Sequence, residues 1–159
     1  MPPEHAKQFI NIDKATQYGF EISAGYKFAQ YFALNGNVYY TYAQNYDFDE
    51  PLAEIPPLSS NIWISYTRKK FFASINGRFV AAQDRVSTSF DESPSEAFNV
   101  VDMKFSYTPV KYLTIEMGVN NIFDVTYYEH LSRPYKNMPE QSMFYEPGRN
   151  FLFSVKARF

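Results

Sequence analysis

"QYGFEISAGYKFAQYFALNGNVYYTYA", residues 17–43, alternates between apolar and polar side chains along two neighbouring segments. In residues 17–28 aromatic and aliphatic side chains occupy every second position, and polar residues and glycines fill the positions between them. Residues 31–43 repeat the pattern after a break at Ala29 and Gln30. Because successive side chains of a β-strand point to opposite faces of a sheet, this alternation predicts two antiparallel strands joined by a tight turn.

Five further segments carry the same alternation and extend the prediction to most of the chain. The result is seven strands of roughly ten or more residues each, whereas strands of ordinary globular proteins average about five or six. A tilted strand that crosses a bilayer needs about nine to eleven residues. No segment has helical periodicity, and no run of about 18 apolar residues predicts a membrane-spanning helix. The further segments are residues 58–68, 71–83, 101–107, 113–120 and 150–159.

The predicted connections alternate between short and long. Short turns on one side and long loops on the outer side are typical of outer-membrane barrels, and so are aromatic residues at strand ends, such as Tyr66, Phe71 and Tyr107. We therefore predict an all-β fold, an antiparallel up-and-down transmembrane β-barrel segment of about seven long strands. The short turns are predicted near residues 29–30, 69–70 and 109–110, and the long, proline-containing loops at about 45–57, 84–96 and 122–147.

An odd number of strands does not close in the usual way. Bacterial single-chain barrels have even strand numbers from about eight upward, and an open sheet exposes unpaired backbone groups to hydrocarbon at two edges. The sequence therefore predicts a partial barrel that the rest of a larger barrel would close. Two alternatives stay open. One is a small passive or structural barrel that gains an eighth strand from residues 1–12, and the other is a soluble β-sandwich binding module, whose strands also alternate.

The composition argues against several classes of function. The chain has no cysteine, so disulfides and thiolate metal sites are excluded. Its formal net charge is −2 and it has no basic patch, so no nucleic-acid partner is expected. Motifs of serine hydrolases, zinc proteases and phosphate-binding loops are absent, and the histidines are His5 and His130. We therefore expect neither an enzyme nor a resident cofactor.

The C-terminal part of the chain contains two motifs in order. Residues 118–130, "GVNNIFDVTYYEH", end one predicted strand, and residues 145–159, "YEPGRNFLFSVKARF", contain the last strand. Together they resemble the C-terminal end of TonB-dependent outer-membrane receptors. In that family an Asn-Leu/Ile-Phe-Asp motif and a tyrosine precede a loop, a Pro-Gly-Arg sequence and a final strand ending in phenylalanine. The matching residues are Asn121, Ile122, Phe123, Asp124, Tyr127, Pro147, Gly148, Arg149 and Phe159.

A second match lies near the start of the chain, where residues 11–28 resemble the family's Asn-x-x-x-Ala…Gly-x-Glu strand. The resemblance thus covers essentially the whole sequence and implies the outer membrane of a Gram-negative bacterium. It also implies a barrel of about 22 strands with a plugged lumen. Residues 1–159 would then form the C-terminal part of that barrel, without the plug domain and the TonB box. The residues in register are Asn11, Ala15, Gly19 and Glu21.

The resemblance further implies a function and a set of partners. The whole receptor would bind a scarce nutrient complex, most often a ferric siderophore or another metal complex, and import it with energy from TonB. Its partners would be outer-membrane lipid, the rest of its own barrel, the plug domain, TonB through the missing N-terminal part, and the small-molecule metal complex. Alternating apolar residues and the terminal aromatic of the last strand would form the barrel-assembly signal. These residues are Phe151, Phe153, Val155 and Phe159.

Charged residues on the polar faces of the strands are candidates for the lumen, where receptors of this family contact the plug. The alternative is a polar wall that faces water. Acidic residues in loops 45–57 and 84–96 would attract cations at the mouth, although a solvated surface is the interpretation that we prefer for them. The lumen-facing candidates are Glu21, Arg78, Asp102, Lys104, Glu116, Lys156 and Arg158.

The longest loop contains a candidate metal site made of His130, Met138 and Met143. Imidazole and thioether groups suit soft metals such as copper, and the sequence "YYEHLSR" resembles that of some receptors assigned to copper or iron complexes. An ordinary loop histidine, with methionines packed beneath the loop, is the alternative that we favour.

The motif residues also have local physical interpretations. Gly148 is expected to adopt backbone angles that other residues avoid, in the turn that leads into the last strand. Pro147 precedes that strand because it cannot donate a ladder hydrogen bond. Asn120, Asn121 and Asp124 are expected to hydrogen-bond the local backbone where a strand gives way to the loop.

Overall fold

The computed structural model describes residues 11–132 and 143–159. In these ranges the protein is all-β, and none of its segments is a helix long and apolar enough to span a membrane. Met138, one of the candidate metal ligands, lies outside the described residues. The strands are β1 (Ala15–Phe28), β2 (Phe32–Asn45), β3 (Glu50–Pro51), β4 (Ser59–Arg68), β5 (Phe71–Val80), β6 (Phe98–Val110), β7 (Leu113–Asn120) and β8 (Asn150–Ala157).

All eight strands belong to one antiparallel sheet. The seven long strands lie in the order β1-β2-β4-β5-β6-β7-β8, and the two-residue β3 pairs with β2. Within the described ranges β1 and β8 are the edges of this sheet and do not pair with each other. The single open sheet confirms the predicted up-and-down partial barrel, and a two-sheet sandwich does not fit it.

The strand register divides the sheet into an apolar and a polar face, as the alternation predicts. Ile22 lies opposite Val38 between β1 and β2, and Met117 lies opposite Phe153 between β7 and β8. Directly opposed residues of antiparallel strands project from the same face, so the apolar face is continuous across the sheet. Its side chains are exposed, with Ile22 at 58% and Phe153 at 68%. An exposed apolar surface of this extent is suited to contact lipid.

Short and long connections lie at opposite ends of the sheet. Turns follow β1 and β4 where predicted, and Ala29 and Lys69 take positive φ angles of 56° and 51° in them. The third turn lies at Lys111 and Tyr112, two residues later than predicted, because β6 continues through Pro109 with a shift of register. The long connections are loop 1 (residues 46–58, including β3), loop 2 (81–97) and loop 3 (121–149).

Strand lengths depart from the prediction at the C-terminal side. β1 and β2 each have 14 residues, whereas β7 and β8 have only 8. β8 ends at Ala157 because its last ladder partner is Leu113, the first residue of β7. Beyond it the Arg158 amide still donates a hydrogen bond to the Tyr112 carbonyl, at 2.9 Å. The alternation of apolar and polar residues continues to residue 159, but β7 begins at Leu113 and has no residue left to pair with.

Aromatic rings pair near both ends of the strands. Phe71 stacks on Tyr107 with ring centroids 4.6 Å apart near the short turns, and Tyr18 stacks on Tyr42 at 4.9 Å near the loops. This arrangement matches the aromatic girdles of outer-membrane barrels. The buried apolar cluster of the described residues is small and lies on the polar face at the loop end, where Tyr127 packs against it. Its members are Val80, Phe98 and Val100.

Candidate functional site at the loop end of the sheet

Asn121 fixes the point at which β7 gives way to loop 3. Its side chain exchanges two hydrogen bonds with Val125, accepting from the amide at 2.9 Å and donating to the carbonyl at 2.8 Å. Its own amide donates to Asp102 Oδ1 at 2.8 Å. The residue is 2% exposed and has a φ of 52°, a conformation that asparagine tolerates better than most residues. Asn121 therefore closes a buried turn, as the sequence predicts.

Asp124 joins the start of loop 3 to its end, so the expectation that its side chain bonds the local backbone is wrong. Asp124 Oδ1 accepts a hydrogen bond from the Arg149 amide at 2.7 Å. A Cβ on Gly148 would lie 2.7 Å from the same oxygen. No glycine of the described residues has a positive φ, so the expectation of special backbone angles at Gly148 is wrong. The glycine is needed for space, because it lets the carboxylate reach the Arg149 amide.

Arg78 and Tyr127 connect loop 3 to the wall of the sheet. The Arg78 guanidinium pairs with the Glu129 carboxylate and lies 5.0 Å from the centre of the Phe98 ring. Phe98 and Tyr127 pack with ring centroids 4.4 Å apart. Burial raises the pKa of the Tyr127 hydroxyl, which the positive charge of Arg78 partly opposes. Loop 3 is thereby attached to β5 and β6 by both packing and charge.

Glu50 connects loop 1 to loop 2. Its carboxylate accepts hydrogen bonds from the Ser87 hydroxyl at 2.9 Å, the Thr88 hydroxyl at 2.8 Å and the Ser89 amide at 3.1 Å. Desolvation alone would raise the pKa of the Glu50 carboxyl, but the hydrogen bonds from Ser89, Thr88 and Ser87 outweigh it and lower the pKa to about 2. The carboxylate is therefore held in its charged form by donors of the neighbouring loop.

Glu92 and His130 connect all three loops. Glu92 Oε2 accepts from the Ser87 amide at 2.9 Å, and Glu92 Oε1 accepts from the Glu54 amide at 2.8 Å. His130 Nε2 lies 3.2 Å from Glu92 Oε1, and His130 Nδ1 lies 3.0 Å from Ser95 Oγ. The side chains of His130 and Glu92 are only 1% and 5% exposed. The expectation of a solvated acidic surface is therefore wrong for Glu92, which is a buried hydrogen-bond acceptor.

This arrangement does not add support to the metal-site prediction. Both ring nitrogens of His130 are hydrogen-bonded, and Met143 is half-buried beside Tyr128 and Tyr145. Across residues 11–132 and 143–159, no three His, Asp or Glu side chains form a group that could hold a metal ion. With Met138 outside these ranges, the site made of His130, Met138 and Met143 stays a prediction.

The register places the strand residues among the lumen candidates on the polar face. Lys156 Nζ lies 2.8 Å from Glu116 Oε2, across β7 and β8. Lys104 and Glu116 line one groove of this face together with Asp102, and Asp102 also holds the Asn121 amide. Glu21 lies opposite Tyr39 in the β1–β2 pairing. Arg158 follows the end of β8. Contact of this face with a plug stays a prediction.

The proposed assembly-signal residues lie on or just beyond the edge strand. Phe151, Phe153 and Val155 project from the apolar face of β8 and are 77%, 68% and 54% exposed. Phe159 follows the strand and is fully exposed. Their exposure leaves them accessible to lipid, and a role in barrel insertion stays a prediction.

Sequence reasoning missed the residues that bind the loops to one another. Ser95 was not singled out, and Glu50 and Glu92 were noted only among the acidic residues of their loops, because alternation reveals strand faces but not which distant loop residues meet. Glu50 and Ser87 are 37 positions apart. The one available signal is the sequence Ser87-Thr88-Ser89, which places several hydrogen-bond donors together in a loop otherwise rich in carboxylates.

Comparison with known proteins gives the family. Residues 2–122 match the family described as "TonB dependent receptor-like, beta-barrel", which is more than half of the chain. The probable hemoglobin and hemoglobin-haptoglobin-binding protein 4 of Haemophilus influenzae is 28% identical over 96% of this chain and 18% of its own length. The hemin receptor of Yersinia pestis is 30% identical over 94% of this chain and 21% of its own length. The chain thus spans about a fifth of these relatives.

A solved structure gives the same answer from the fold. The copper transporter OprC superposes on 91% of this chain with a TM-score of 0.83 and 25% sequence identity, and the match covers 24% of that protein. The open sheet, its two faces and its long loops are therefore those of a larger barrel wall. The chain belongs to the TonB-dependent receptor family and forms part of the β-barrel of a receptor in the outer membrane of Gram-negative bacteria.

Proposed function

We propose that the receptor containing this chain imports a metal complex across the outer membrane with energy transmitted by TonB. In this proposal residues 1–159 supply the C-terminal part of the barrel wall and three loops on its outer side. A plug domain and a TonB-contacting segment, contributed by the rest of the receptor, would complete the transporter. The polar face that carries Asp102, Lys104 and Glu116 would face the plug.

The observation that best supports the proposal is the division of the sheet into two ends and two faces. The apolar face fits lipid, the short turns fit the periplasmic side, and the connected loops fit an extracellular binding surface. A passive small barrel would not need the loops to be joined by buried carboxylates such as Glu92, with its 5% exposed side chain. A joined set of loops suits a receptor that must recognise its cargo.

The ligand that we propose is an iron complex, with haem as the first candidate and a ferric siderophore as the second. Two relatives that match nearly all of this chain are named for hemoglobin and hemin. Ferric siderophore is the ligand class that the resemblance of the motifs implies. Copper is a further candidate, supported by the likeness to a copper transporter.

A growth experiment with the full-length receptor tests these proposals. The receptor is expressed in a Gram-negative strain that lacks its own haem and siderophore receptors, and haemin, haemoglobin or a ferric siderophore is supplied as the sole iron source. We expect growth on haemin, and the same growth should disappear when TonB is deleted. Growth that survives TonB deletion would contradict active import. Growth on the ferric siderophore but not on haemin would show that the siderophore, not haem, is the ligand. Copper-dependent toxicity without growth on any iron source would favour copper.

A further inference from the structure

Among the residues that the structure describes, loops 1 and 2 share more contacts with each other than either shares with loop 3. Loops 1 and 2 are joined by the three hydrogen bonds that Glu50 accepts and by the bond from the Glu54 amide to Glu92. The Gln83 side chain adds another, donating to the Ile55 carbonyl at 2.9 Å. Contacts with several separate donors make these two loops one unit.

In the described part of loop 3, His130 contacts that unit. Its ring lies between Ser95 and Glu92, at 3.0 Å and 3.2 Å, with a side chain that is 1% exposed. The neighbouring Glu129 pairs instead with Arg78 of the barrel wall. A buried polar ring is costly to leave without hydrogen-bond partners. The contacts of His130 therefore keep the neighbouring part of loop 3 close to Ser95 and Glu92.

The contacts of His130 with Glu92 and Ser95 form a joint between the loops. The chemistry of these two partners fixes the tautomer of the histidine. A carboxylate only accepts hydrogen bonds, so in the neutral ring Nε2 carries the hydrogen and donates to Glu92, and Nδ1 accepts from the Ser95 hydroxyl. Glu92 receives donors on both oxygens, from Ser87 on one and from Glu54 and His130 on the other. An amide in place of the carboxylate would direct an NH₂ group at one of these donors.

We propose that His130 is a positioning residue, which holds loop 3 against the unit of loops 1 and 2 so that the three loops present one arrangement to the incoming ligand. Its ring nitrogens are used to bind the loops together rather than to bind a metal. The consequence for binding rests on the proposed import function, but the joint itself can be tested without any ligand.

The test measures distances between loops in the full-length receptor, in outer-membrane vesicles without ligand. Spin labels are attached through Phe48→Cys and Leu131→Cys, the latter at an exposed residue beside His130, to report loop 1 against loop 3. A second pair, Phe48→Cys and Ser93→Cys, reports loop 1 against loop 2. We expect single narrow distance distributions for both pairs in the otherwise wild-type receptor. His130→Ala and Glu92→Gln should broaden the distance between loops 1 and 3, and His130→Ala should leave the distance between loops 1 and 2 narrow.

Two further variants keep the test decisive. Ser95→Ala removes one hydroxyl from the joint and should broaden the distance between loops 1 and 3 less than His130→Ala. Asp84→Asn, at an exposed carboxylate of the same loop, should change neither distance. Narrow distances between loops 1 and 3 in Ser95→Ala, His130→Ala and Glu92→Gln alike would overturn the proposal, and so would equal broadening of both loop pairs in His130→Ala.

A ligand-binding measurement tests the proposed function separately from the existence of the joint. With haemin as the probe, the Kd of the His130→Ala receptor should rise relative to wild type, whereas that of Asp84→Asn should not. If the wild-type receptor binds no haemin, the haem proposal fails, and the distance measurements still decide whether His130 joins the loops. Unchanged haemin affinity together with broadened loops would overturn the claim that the joint positions the loops for ligand.

Discussion

Asp124 and Arg149 lie 25 positions apart, yet Asp124 Oδ1 accepts a hydrogen bond from the Arg149 amide at 2.7 Å. The contact connects the Asn-Ile-Phe-Asp motif to the Pro-Gly-Arg sequence, so the two family motifs meet where loop 3 leaves and re-enters the sheet. Gly148 lies beside this contact without room for a Cβ. The two motifs thus define the base of one loop rather than a catalytic or metal-binding cluster.

Gly148→Ala should loosen this base. The new Cβ would lie 2.7 Å from Asp124 Oδ1, so the carboxylate must move away from the Arg149 amide. We expect a loss of about 1–3 kcal/mol in the free energy of unfolding, the cost of a weakened charge-assisted hydrogen bond. Urea unfolding of the purified receptor, followed by the gel mobility of unheated samples, measures it. Gly118→Ala is the control, because its Cβ would meet neighbours at no less than 3.5 Å.

Asn121→Ala should cost more than a neighbouring substitution. The change removes both side-chain hydrogen bonds to Val125 and places alanine at a φ of 52°. We expect a loss of about 2–4 kcal/mol, since two part-buried backbone groups of Val125 lose their partners at about 1–2 kcal/mol each, the lower part of the range for buried groups. The same urea assay compares it with Asn120→Ala, where the side chain makes one hydrogen bond to Asn150. Equal losses in the two variants would contradict a special role for Asn121.

The contact between loops 1 and 2 should weaken in acid. The pKa of the Glu50 carboxyl is lowered from 4.5 to about 2 in the folded protein. A lowered carboxyl pKa contributes stability that is fully present above pH 4.5 and is lost as the pH falls through about 2. The distance between labels at Phe48→Cys and Ser93→Cys should therefore broaden over this range in the wild-type receptor.

Glu50→Gln is the control for that titration. The variant keeps the shape of the side chain but has no carboxyl to titrate, and its NH₂ group faces the donors of Ser87, Thr88 and Ser89. Its loop 1 to loop 2 distance should be broad already above pH 4.5 and change little in acid. A wild-type distance that stays narrow down to pH 2 would show that Glu50 does not control the contact.

The sheet was predictable from the sequence because its pattern is local. Alternation in β1 and β2 assigns each side chain to a face, and pairing with the next strand along the chain carries the assignment across the sheet. The expectation that a side chain bonds the local backbone is wrong for Asn120 and Asp124, whose partners Asn150 and Arg149 lie 30 and 25 positions away. It is confirmed for Asn121, whose side chain bonds Val125. Such inferences need only neighbours in sequence and the geometry of a strand.

The loop contacts were not predictable for the opposite reason. Glu92 meets His130 across 38 positions, and Glu50 meets Ser87 across 37. Nothing in the periodicity of a loop states which distant side chain it approaches, so a buried acceptor and a solvated acid look the same in sequence. The prediction for Gly148 was wrong for a similar reason. The sequence does not show that the Asp124 carboxylate lies beside Gly148 and leaves no room for a Cβ.

Gly19→Ala tests the close approach of β1 and β2. A Cβ at this position would lie 2.2 Å from the Tyr40 carbonyl oxygen, which belongs to the backbone and cannot rotate away. The strands must shift locally, and we expect a loss of about 1–3 kcal/mol, the usual cost of overpacking. Urea unfolding of the receptor measures it against Gly118→Ala. A Gly19→Ala receptor as stable as wild type would contradict the close approach.

Phe159→Ala should separate barrel assembly from the stability of the folded barrel. Phe159 is fully exposed. It follows the last ladder pair of β8, which joins Ala157 to Leu113. Because little apolar area is buried there, its removal should leave the urea midpoint of the assembled receptor unchanged. If the terminal aromatic is part of the signal for membrane insertion, the fraction of receptor that reaches the folded, outer-membrane form should fall. Normal assembly with a lowered urea midpoint would instead assign Phe159 a structural role in the finished barrel.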